Sequence, residues 1–156
     1  MTDRVVLQSL SPEQTRRIGE RIGQALTAGD VVVLDGELGA GKTTLTQGIA
    51  RGLQIDEPAT SPTFVLAREM PAGRAGVSLL HVDAYRISSL HEWDDLDVEL
   101  EAHATVIEWG ERVVGALPSD RLEVQLSRSD GDARTLVMSA HGDRSRRLLA
   151  AVSESS

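Results

Sequence analysis

The chain has no cysteine, no asparagine and a single lysine, Lys42, among its 156 residues. Without cysteine it cannot form disulfide bonds, thiolate zinc sites, iron–sulfur clusters or a cysteine nucleophile. It also lacks a run of the ~20 apolar residues that a membrane helix requires, and residues 1–10 lack the charged and then apolar segments of a secretory signal. We therefore expect a cytoplasmic protein whose chemistry comes from oxygen ligands, histidine or backbone groups.

Basic residues are outnumbered by acidic ones. The 16 lysine and arginine residues against 24 aspartate and glutamate residues give a formal net charge of −8 at pH 7, while 40% of the residues are hydrophobic. This balance predicts one globular domain over residues 1–156, with its core in residues 4–140 and a C-terminal helix and short tail in residues 143–156. The negative charge argues against nonspecific binding to nucleic acid, which clustered basic side chains normally supply.

A phosphate-binding motif contains the single lysine. Residues 36–43 read G-E-L-G-A-G-K-T and match G-x-x-x-x-G-K-[ST], in which backbone N–H groups surround phosphate oxygens and the next helix N-terminus adds positive dipole charge. An apolar run at residues 31–34 precedes the motif and a helical pattern follows it, as this mechanism requires. In such a loop Lys42 neutralises the terminal phosphates and the Thr43 hydroxyl binds magnesium. The predicted nucleotide-binding residues here are Glu37, Leu38, Gly39, Ala40, Gly41, Lys42, Thr43 and Thr44.

Two carboxylates end apolar strands further along the chain. Asp83 follows the run at residues 79–82, and Glu108 follows the run at residues 105–107. We expect both at the carboxyl ends of strands adjacent to the loop strand, where ligands of open α/β sheets bind. Carboxylate oxygens suit Mg²⁺, so Asp83 and Glu108 are the predicted acids of a metal site together with Thr43.

The absence of one sequence motif indicates which nucleotide base is bound. Proteins with this loop that are specific for GTP usually recognise guanine with an N-K-x-D segment, and this chain has neither asparagine nor a second lysine. Recognition of guanine by that route is therefore excluded, and ATP is favoured.

The remaining patterns predict an α/β fold with a mainly parallel sheet and the loop of a P-loop NTPase. Ser11, Pro12 and Gln14 form a helix start, because they supply an N-cap, a first-turn proline and the partner of a capping box. Residues 121–126 and 134–139 alternate as an antiparallel C-terminal hairpin. The other predicted strands are residues 31–34, 63–68, 79–82 and 105–107, and the other predicted helices are residues 42–53, 87–101, 111–117 and the C-terminal segment.

Four short motifs together resemble one protein family. They are G-E-L-G-A-G-K-T-T at residues 36–44, S-P-T-F at residues 61–64, H-V-D-A-Y-R at residues 81–86 and E-W at residues 108–109. In order and separation they resemble the TsaE-type P-loop ATPases of bacterial tRNA threonylcarbamoyladenosine biosynthesis, over about residues 4–140. Phosphate loops alone are widespread, whereas the four motifs in a chain of this length are specific.

The resemblance implies roles for individual residues. Thr43 and Glu108 would hold magnesium, and Asp83 would take the Walker-type acid position close to the same metal. Thr63 would act as a switch residue near the γ-phosphate or its attacking water. Lys42, Asp83, Thr63 and Glu108 are thus the implied catalytic residues. Further implied nucleotide contacts are Ser11 close to the adenine, Trp109 beside the nucleotide, and Arg134.

The resemblance also implies a partner and a purpose. Proteins of this family bind a heterodimer of the transferase TsaD and its inactive paralogue TsaB, and they use ATP hydrolysis to reset that complex between catalytic rounds. The modified base is the adenosine beside the anticodon in tRNAs that read codons starting with A. Slow hydrolysis by the chain alone is the expectation, with any tRNA contact made through the partners and no membrane contact.

Two other functions remain open on the sequence. A small-molecule or nucleoside kinase would use the same loop, with Asp83 as base and the arginines at 144, 146 and 147 as a lid. A nucleotide-sensing interaction module would bind ATP and change shape with incidental hydrolysis. The acidic residues of segment 87–101 form either a solvated face or a contact surface for a basic partner; they are Glu92, Asp94, Asp95, Asp97, Glu99 and Glu101.

Overall fold

A computed structural model describes residues 3–37, 39–56, 67–85 and 87–154. Its strands are β1 (Arg4–Ser9), β2 (Val31–Asp35), β3 (Ala67–Met70), β4 (Leu79–Asp83), β5 (Ala104–Glu108), β6 (Leu122–Arg128) and β7 (Arg134–Ala140). The helices are α1 (Pro12–Ala25), α2 (Lys42–Gly52), α3 (Leu90–Asp95) and α4 (Asp143–Glu154), with 3₁₀ helices at Leu100–Ala102 and Gly110–Ala116. No helix in the described ranges is long and apolar enough to span a bilayer.

The described strands form one sheet in the order β1-β7-β6-β2-β5-β4-β3. Strands β6, β2, β5 and β4 run parallel to one another, whereas β7 pairs antiparallel with β6 and β1, and β3 pairs antiparallel with β4. The predicted α/β class, its parallel centre and its C-terminal hairpin are thereby confirmed. Strand β2 lies between β5 and β6, so the loop that follows it emerges from the middle of the sheet.

Apolar side chains cover both faces of the sheet. One buried cluster joins the helices α1, α2 and α4 to the side chains of one sheet face, including Ile22, Leu45 and Leu148. A second, smaller cluster lies on the other face around Trp93 of α3 and Val113 of the second 3₁₀ helix. The strands of the parallel centre are buried on both faces, which is why they read as continuous apolar runs.

Glycines allow α1 and α2 to approach each other closely. A Cβ added at Gly19 would lie 2.3 Å from the Leu45 carbonyl oxygen, and one added at Gly48 would lie 2.1 Å from the Arg16 carbonyl oxygen. The same holds for Gly23 and Gly52, one helical turn further along each helix. These four glycines, Gly19, Gly23, Gly48 and Gly52, are called the glycine seam below. The seam fixes α1 directly against the helix that begins at the loop.

The structure differs from the sequence predictions at one strand and one helix, and it tests only part of another predicted strand. Strand β1 was not predicted, because its six residues alternate only weakly and its place depends on the distant β7. The predicted helix 87–101 is wrong: α3 ends at Asp95, Asp97 has a φ of 50°, and a separate 3₁₀ helix begins at Leu100. Of the predicted strand 63–68, residues 67 and 68 belong to β3, and residues 63–66 lie outside the described residues.

Candidate functional site

The loop after β2 leads directly into α2. Gly39 and Gly41 have φ values of 81° and 108°, which a residue with a side chain rarely adopts. Gly41 is the N-cap of α2, and its carbonyl accepts a hydrogen bond of 2.9 Å from the Leu45 N–H. The first N–H groups of a helix have no intrahelical acceptor and lie at the positive end of its dipole. The motif is therefore folded as an anion-binding helix start.

Lys42 begins α2 and is buried, with 5% of its surface exposed. Its Nζ donates a 2.7 Å hydrogen bond to the carbonyl oxygen of Gly36 and lies 3.5 Å from the ring centroid of Trp109. The Trp109 ring in turn contacts the Tyr85 ring at 5.1 Å between centroids. Trp109 itself has a φ of 61°, so its backbone adopts a left-handed conformation that is unfavourable for a side chain of this size. The ammonium group is thus held between the loop and an aromatic pair.

Charge around Lys42 is balanced by nearby acids. Burial lowers the pKa of Lys42 below its ordinary value of 10.5, and the carboxylates of Glu108, Asp83 and Asp35 act in the opposite direction. A buried ammonium group with this cost is characteristic of a functional position rather than of a stabilising one. A phosphate group in the cleft would be a further anionic partner for this ammonium group.

Strand register brings the two predicted acids together. Asp83 pairs with Glu108 across β4 and β5, and Glu108 pairs with Leu34 across β5 and β2. Glu108 is buried, whereas Asp83 is half-buried and accepts a 2.9 Å hydrogen bond from the Tyr85 N–H. Both strands were expected to lie beside β2, but only β5 is adjacent to it. Strand β4 lies one place further away, beyond β5.

An open cleft of about 230 Å³ connects these groups. Its walls combine the loop, the start of α2, the two strand-end acids and one residue of the hairpin. The lining residues are Gly39, Gly41, Lys42, Thr43, Thr44, Asp83, Glu108, Trp109 and Arg134. The structure therefore brings nine of the predicted site residues to one place.

Arg134 connects the C-terminal hairpin to the loop. Its guanidinium donates to the carbonyl oxygen of Gly39 at 3.1 Å and to those of Gly131 and Ala133 at 2.9 Å. A side chain from the far hairpin thus supports the loop directly. No local sequence pattern identified this contact, which joins residues 95 positions apart.

Of the remaining predicted site residues, those that the structure describes are not among the residues that line the cleft. The Ser11 side chain caps α1 by accepting from the Gln14 N–H at 3.2 Å and does not line the cleft. The Ala40 side chain is fully buried, so only its backbone is available to a ligand, whereas Glu37 is exposed. Leu38 and Thr63, the predicted switch residue, lie outside the described residues.

Sequence reasoning missed a buried partner of Glu108. His81 is fully buried, and its Nε2 lies 2.7 Å from Glu108 Oε2. His81 stands two residues before Asp83 on the same strand, so both side chains lie on one face of β4. The two-residue spacing between His81 and Asp83 was the feature of the sequence that could have revealed this partner. Within the described ranges, no group of three or more histidine, aspartate or glutamate side chains is placed to hold a metal without further ligands.

The C-terminal arginines lie away from the cleft. Arg144 forms an ion pair with Asp30 at 3.1 Å, and Arg146 forms ion pairs with Asp3 at 2.7 Å and Asp143 at 3.0 Å. Asp30 directly precedes β2, whereas the loop follows the opposite end of that strand. Arg147 lines a cavity with Arg144 and Asp30 at that same end. These arginines therefore do not form the lid that a kinase would need.

Comparison with known proteins identifies the family of this chain. A protein of Streptomyces coelicolor named tRNA threonylcarbamoyladenosine biosynthesis protein TsaE is 51% identical over 120 residues, which are 75% of this chain and 81% of that one. The family model of TsaE, described as threonylcarbamoyl adenosine biosynthesis protein, matches residues 9–136. The chain belongs to the TsaE family.

Further TsaE proteins share this similarity. That of Mycobacterium tuberculosis is 47% identical over 132 residues, which are 78% of this chain and 79% of that one. That of Bacillus subtilis is 35% identical over 140 residues, which are 88% of this chain and 86% of that one. The crystal structure of Bacillus subtilis YdiB is similar with a TM-score of 0.83 and 30% identity, covering 99% of this chain and 97% of that one. The TsaE match contains the loop, both acids and Arg134, and it ends before α4.

Proposed function

We propose that this TsaE-family chain is a magnesium-dependent ATPase that acts in the cytoplasm. Its hydrolysis would reset a TsaB–TsaD heterodimer between rounds of threonylcarbamoylation of the adenosine beside the anticodon, in tRNAs reading codons that start with A. The single observation that carries the proposal is the position of Lys42. Its ammonium group is buried at a helix start, in a cleft lined also by Thr43, Asp83 and Glu108.

The cleft suits the triphosphate of a nucleotide. Backbone N–H groups at the start of α2 and the Lys42 ammonium would bind phosphate oxygens, and Thr44 would donate to the α-phosphate. Arg134 and Trp109 line the same cleft and would contact the nucleotide beside the phosphates. The adenine would lie towards the start of α1. A Cβ added at Gly41 would be 3.9 Å from the Thr15 methyl group, which shows how near the first turn of α1 approaches the loop.

The donor set also fits magnesium. Mg²⁺ usually takes one or two carboxylates plus phosphate oxygens and keeps several waters, so it needs no complete protein cage. The Thr43 hydroxyl and the Glu108 and Asp83 carboxylates line one cleft and would be its protein ligands, directly or through water. When bound, the ion neutralises charge that develops on the phosphates. The chain's own residues would bind and orient the nucleotide against it.

Slow turnover by the chain alone is part of the proposal. Phosphoryl transfer depends mainly on positioning and on stabilisation of charge. Among the described residues, His81 is a base close to the acids, and it is already bonded to Glu108. Completion of the site by the TsaB–TsaD pair would supply the missing positioning. Contact with tRNA would be made through these partners, in keeping with the net charge of −8.

Nucleotide binding tests the site directly. Calorimetric titration with a non-hydrolysable ATP analogue should give binding that strengthens with magnesium and is lost in Lys42→Ala. The matched control is Arg74→Ala, which removes an exposed cation from the turn before β4, at the opposite end of that strand from Asp83. A GTP analogue should bind more weakly, and a panel of small hydroxyl acceptors should receive no phosphate from ATP. Equal affinity of Lys42→Ala and the wild-type chain would refute the proposed site, and a phosphorylated acceptor would favour a kinase.

A further inference from the structure

The side chains of His81 and Glu108 meet beneath the cleft. In the register of β4 and β5, His81 pairs with Val106 and Asp83 with Glu108. Residues two apart on a strand share one face, so His81 lies diagonally behind Glu108 and not beside it. The 2.7 Å separation of Nε2 and Oε2 is a short, charge-assisted hydrogen bond. When Glu108 is a carboxylate it can only accept, and Nε2 is then the donor of this bond.

This position is costly for a polar residue. His81 is fully buried, and its Nδ1 has no hydrogen-bond partner among the described residues. Burying an unpaired polar atom costs free energy that an apolar side chain of similar size would avoid. Val106 and Leu79, which share this face, show that apolar residues fill it well. A role in packing therefore does not explain the imidazole, and its one bond points to Glu108.

We propose that His81 is a positioning residue for the metal-binding carboxylate. By holding Oε2 of Glu108, it fixes the rotamer of that side chain and leaves Oε1 for magnesium bound with the nucleotide. Hydrogen bonds to metal-ligating carboxylates act in this way in other metal sites. The inference rests on the proposed function, because it assumes that Glu108 binds the metal. It adds a residue that acts through Glu108 without touching nucleotide or ion.

Two variants with the same functional group separate positioning from packing. In His81→Gln the amide nitrogen can occupy the position of Nε2 and donate to Glu108, whereas in His81→Asn it occupies the position of Nδ1 and does not reach. His81→Asn is one methylene smaller and leaves Glu108 unpaired, so its urea midpoint should be the lower of the two, and binding is compared only under conditions in which both variants are folded. Binding of a non-hydrolysable ATP analogue would be titrated by calorimetry over a series of magnesium concentrations and in EDTA, using the full chain.

The expected result is a change in metal dependence alone. The magnesium concentration for half-maximal binding should rise about tenfold in His81→Asn and stay within about threefold of wild type in His81→Gln. Affinity for the analogue in EDTA should be unchanged in both. Equal magnesium requirements in the two variants, or equal losses with and without metal, would overturn the proposal. A wild-type chain with no response to magnesium would instead refute the metal site itself.

A second measurement needs only one folded variant. The Nε2 proton of His81 should give a slowly exchanging low-field proton resonance in the wild-type chain, assigned by its loss in His81→Gln. If His81 holds Glu108 during metal binding, this resonance persists when magnesium and the analogue are added together. Its disappearance on metal addition would show that the hydrogen bond breaks, and the positioning role would then be wrong.

Discussion

At the residue scale, the site is arranged around one buried cation. Lys42 contacts the Gly36 carbonyl and the Trp109 ring, and Trp109 contacts Tyr85. A cation over an indole ring gains roughly 0.5–2 kcal/mol, depending on its exposure to water. Phosphate binding would compete for the same ammonium group, so the environment of Trp109 should change when a nucleotide binds.

This competition gives a fluorescence prediction. The chain has two tryptophans, Trp109 in the cleft and Trp93, which is buried in the cluster on the other sheet face. Adding an ATP analogue with magnesium should change the tryptophan emission of the wild-type chain and of Trp93→Phe. Trp109→Phe should lose that change. A full response in Trp109→Phe would mean that the indole does not report on the nucleotide.

Some site residues were predictable from sequence and others were not. Lys42, Thr43 and Thr44 lie in one contiguous motif, whose local backbone geometry determines where they point. The contact between His81 and Glu108 joins residues 27 positions apart and depends on the register of two strands. Local periodicity carries no information about register, so this pair could be found only in the folded chain.

At the element scale, close helix packing holds the loop in place. The glycine seam brings α1 against α2 without side chains between their backbones. Thr15, in the first turn of α1, lies at one end of this contact near Gly41. Sequence patterns predicted both helices from their caps and apolar spacing, but the seam requires knowing that these two helices are neighbours.

Substitution within the seam should be severe. Gly48→Ala should lower the free energy of unfolding by roughly 1–3 kcal/mol, because its Cβ would meet backbone and not a flexible side chain. This loss would exceed the gain of about 1 kcal/mol that alanine normally brings to a helix interior. Gly115→Ala is the matched control, since its Cβ would lie 3.5 Å from a Leu90 methyl group. Urea unfolding of both variants measures the difference, and equal stabilities would contradict the packing account.

Helix α4 depends on a carboxylate from outside the helix. Asp120 accepts hydrogen bonds from the Arg144 N–H at 2.9 Å and from the N–H and hydroxyl of Ser145 at 3.0 and 2.7 Å. Partial burial acts to raise the pKa of Asp120, but these hydrogen bonds and the Arg144 charge together hold it below the ordinary value of 3.8. Its stabilising contribution is therefore present above pH 3.8 and is lost as the pH falls through the lower pKa of the folded chain.

This sign gives a pH prediction. At pH 7, Asp120→Asn should lower the free energy of unfolding by about 1 kcal/mol. Both carboxylate oxygens of Asp120 accept hydrogen bonds, whereas the amide of asparagine has only one oxygen that can accept. The difference from wild type should shrink as the pH falls below the folded-state pKa. Asp132→Asn, which makes the same charge change at an exposed residue, should leave stability nearly unchanged. Parallel stability curves for Asp120→Asn and wild type across this pH range would contradict the assignment.

At the scale of the whole molecule, the candidate site and the ion pair of the C-terminal helix lie at opposite ends of β2. The loop, Asp83, Glu108 and Arg134 gather at one end of β2, while the Arg144–Asp30 ion pair lies at the other. The parallel centre was predictable because strands buried on both faces read as apolar runs. The strand order was not, since it places β6 of the hairpin directly beside β2. Pairings between distant segments leave no local trace in the sequence.

Phosphate release from ATP should be measured for the purified chain, alone and with a TsaB–TsaD pair. If this chain is an ATPase that acts on the pair, release should be slow for the chain alone, rise with the pair, and be lost in Lys42→Ala and Glu108→Ala. Release that does not respond to the pair, or that persists in both variants, would contradict this function.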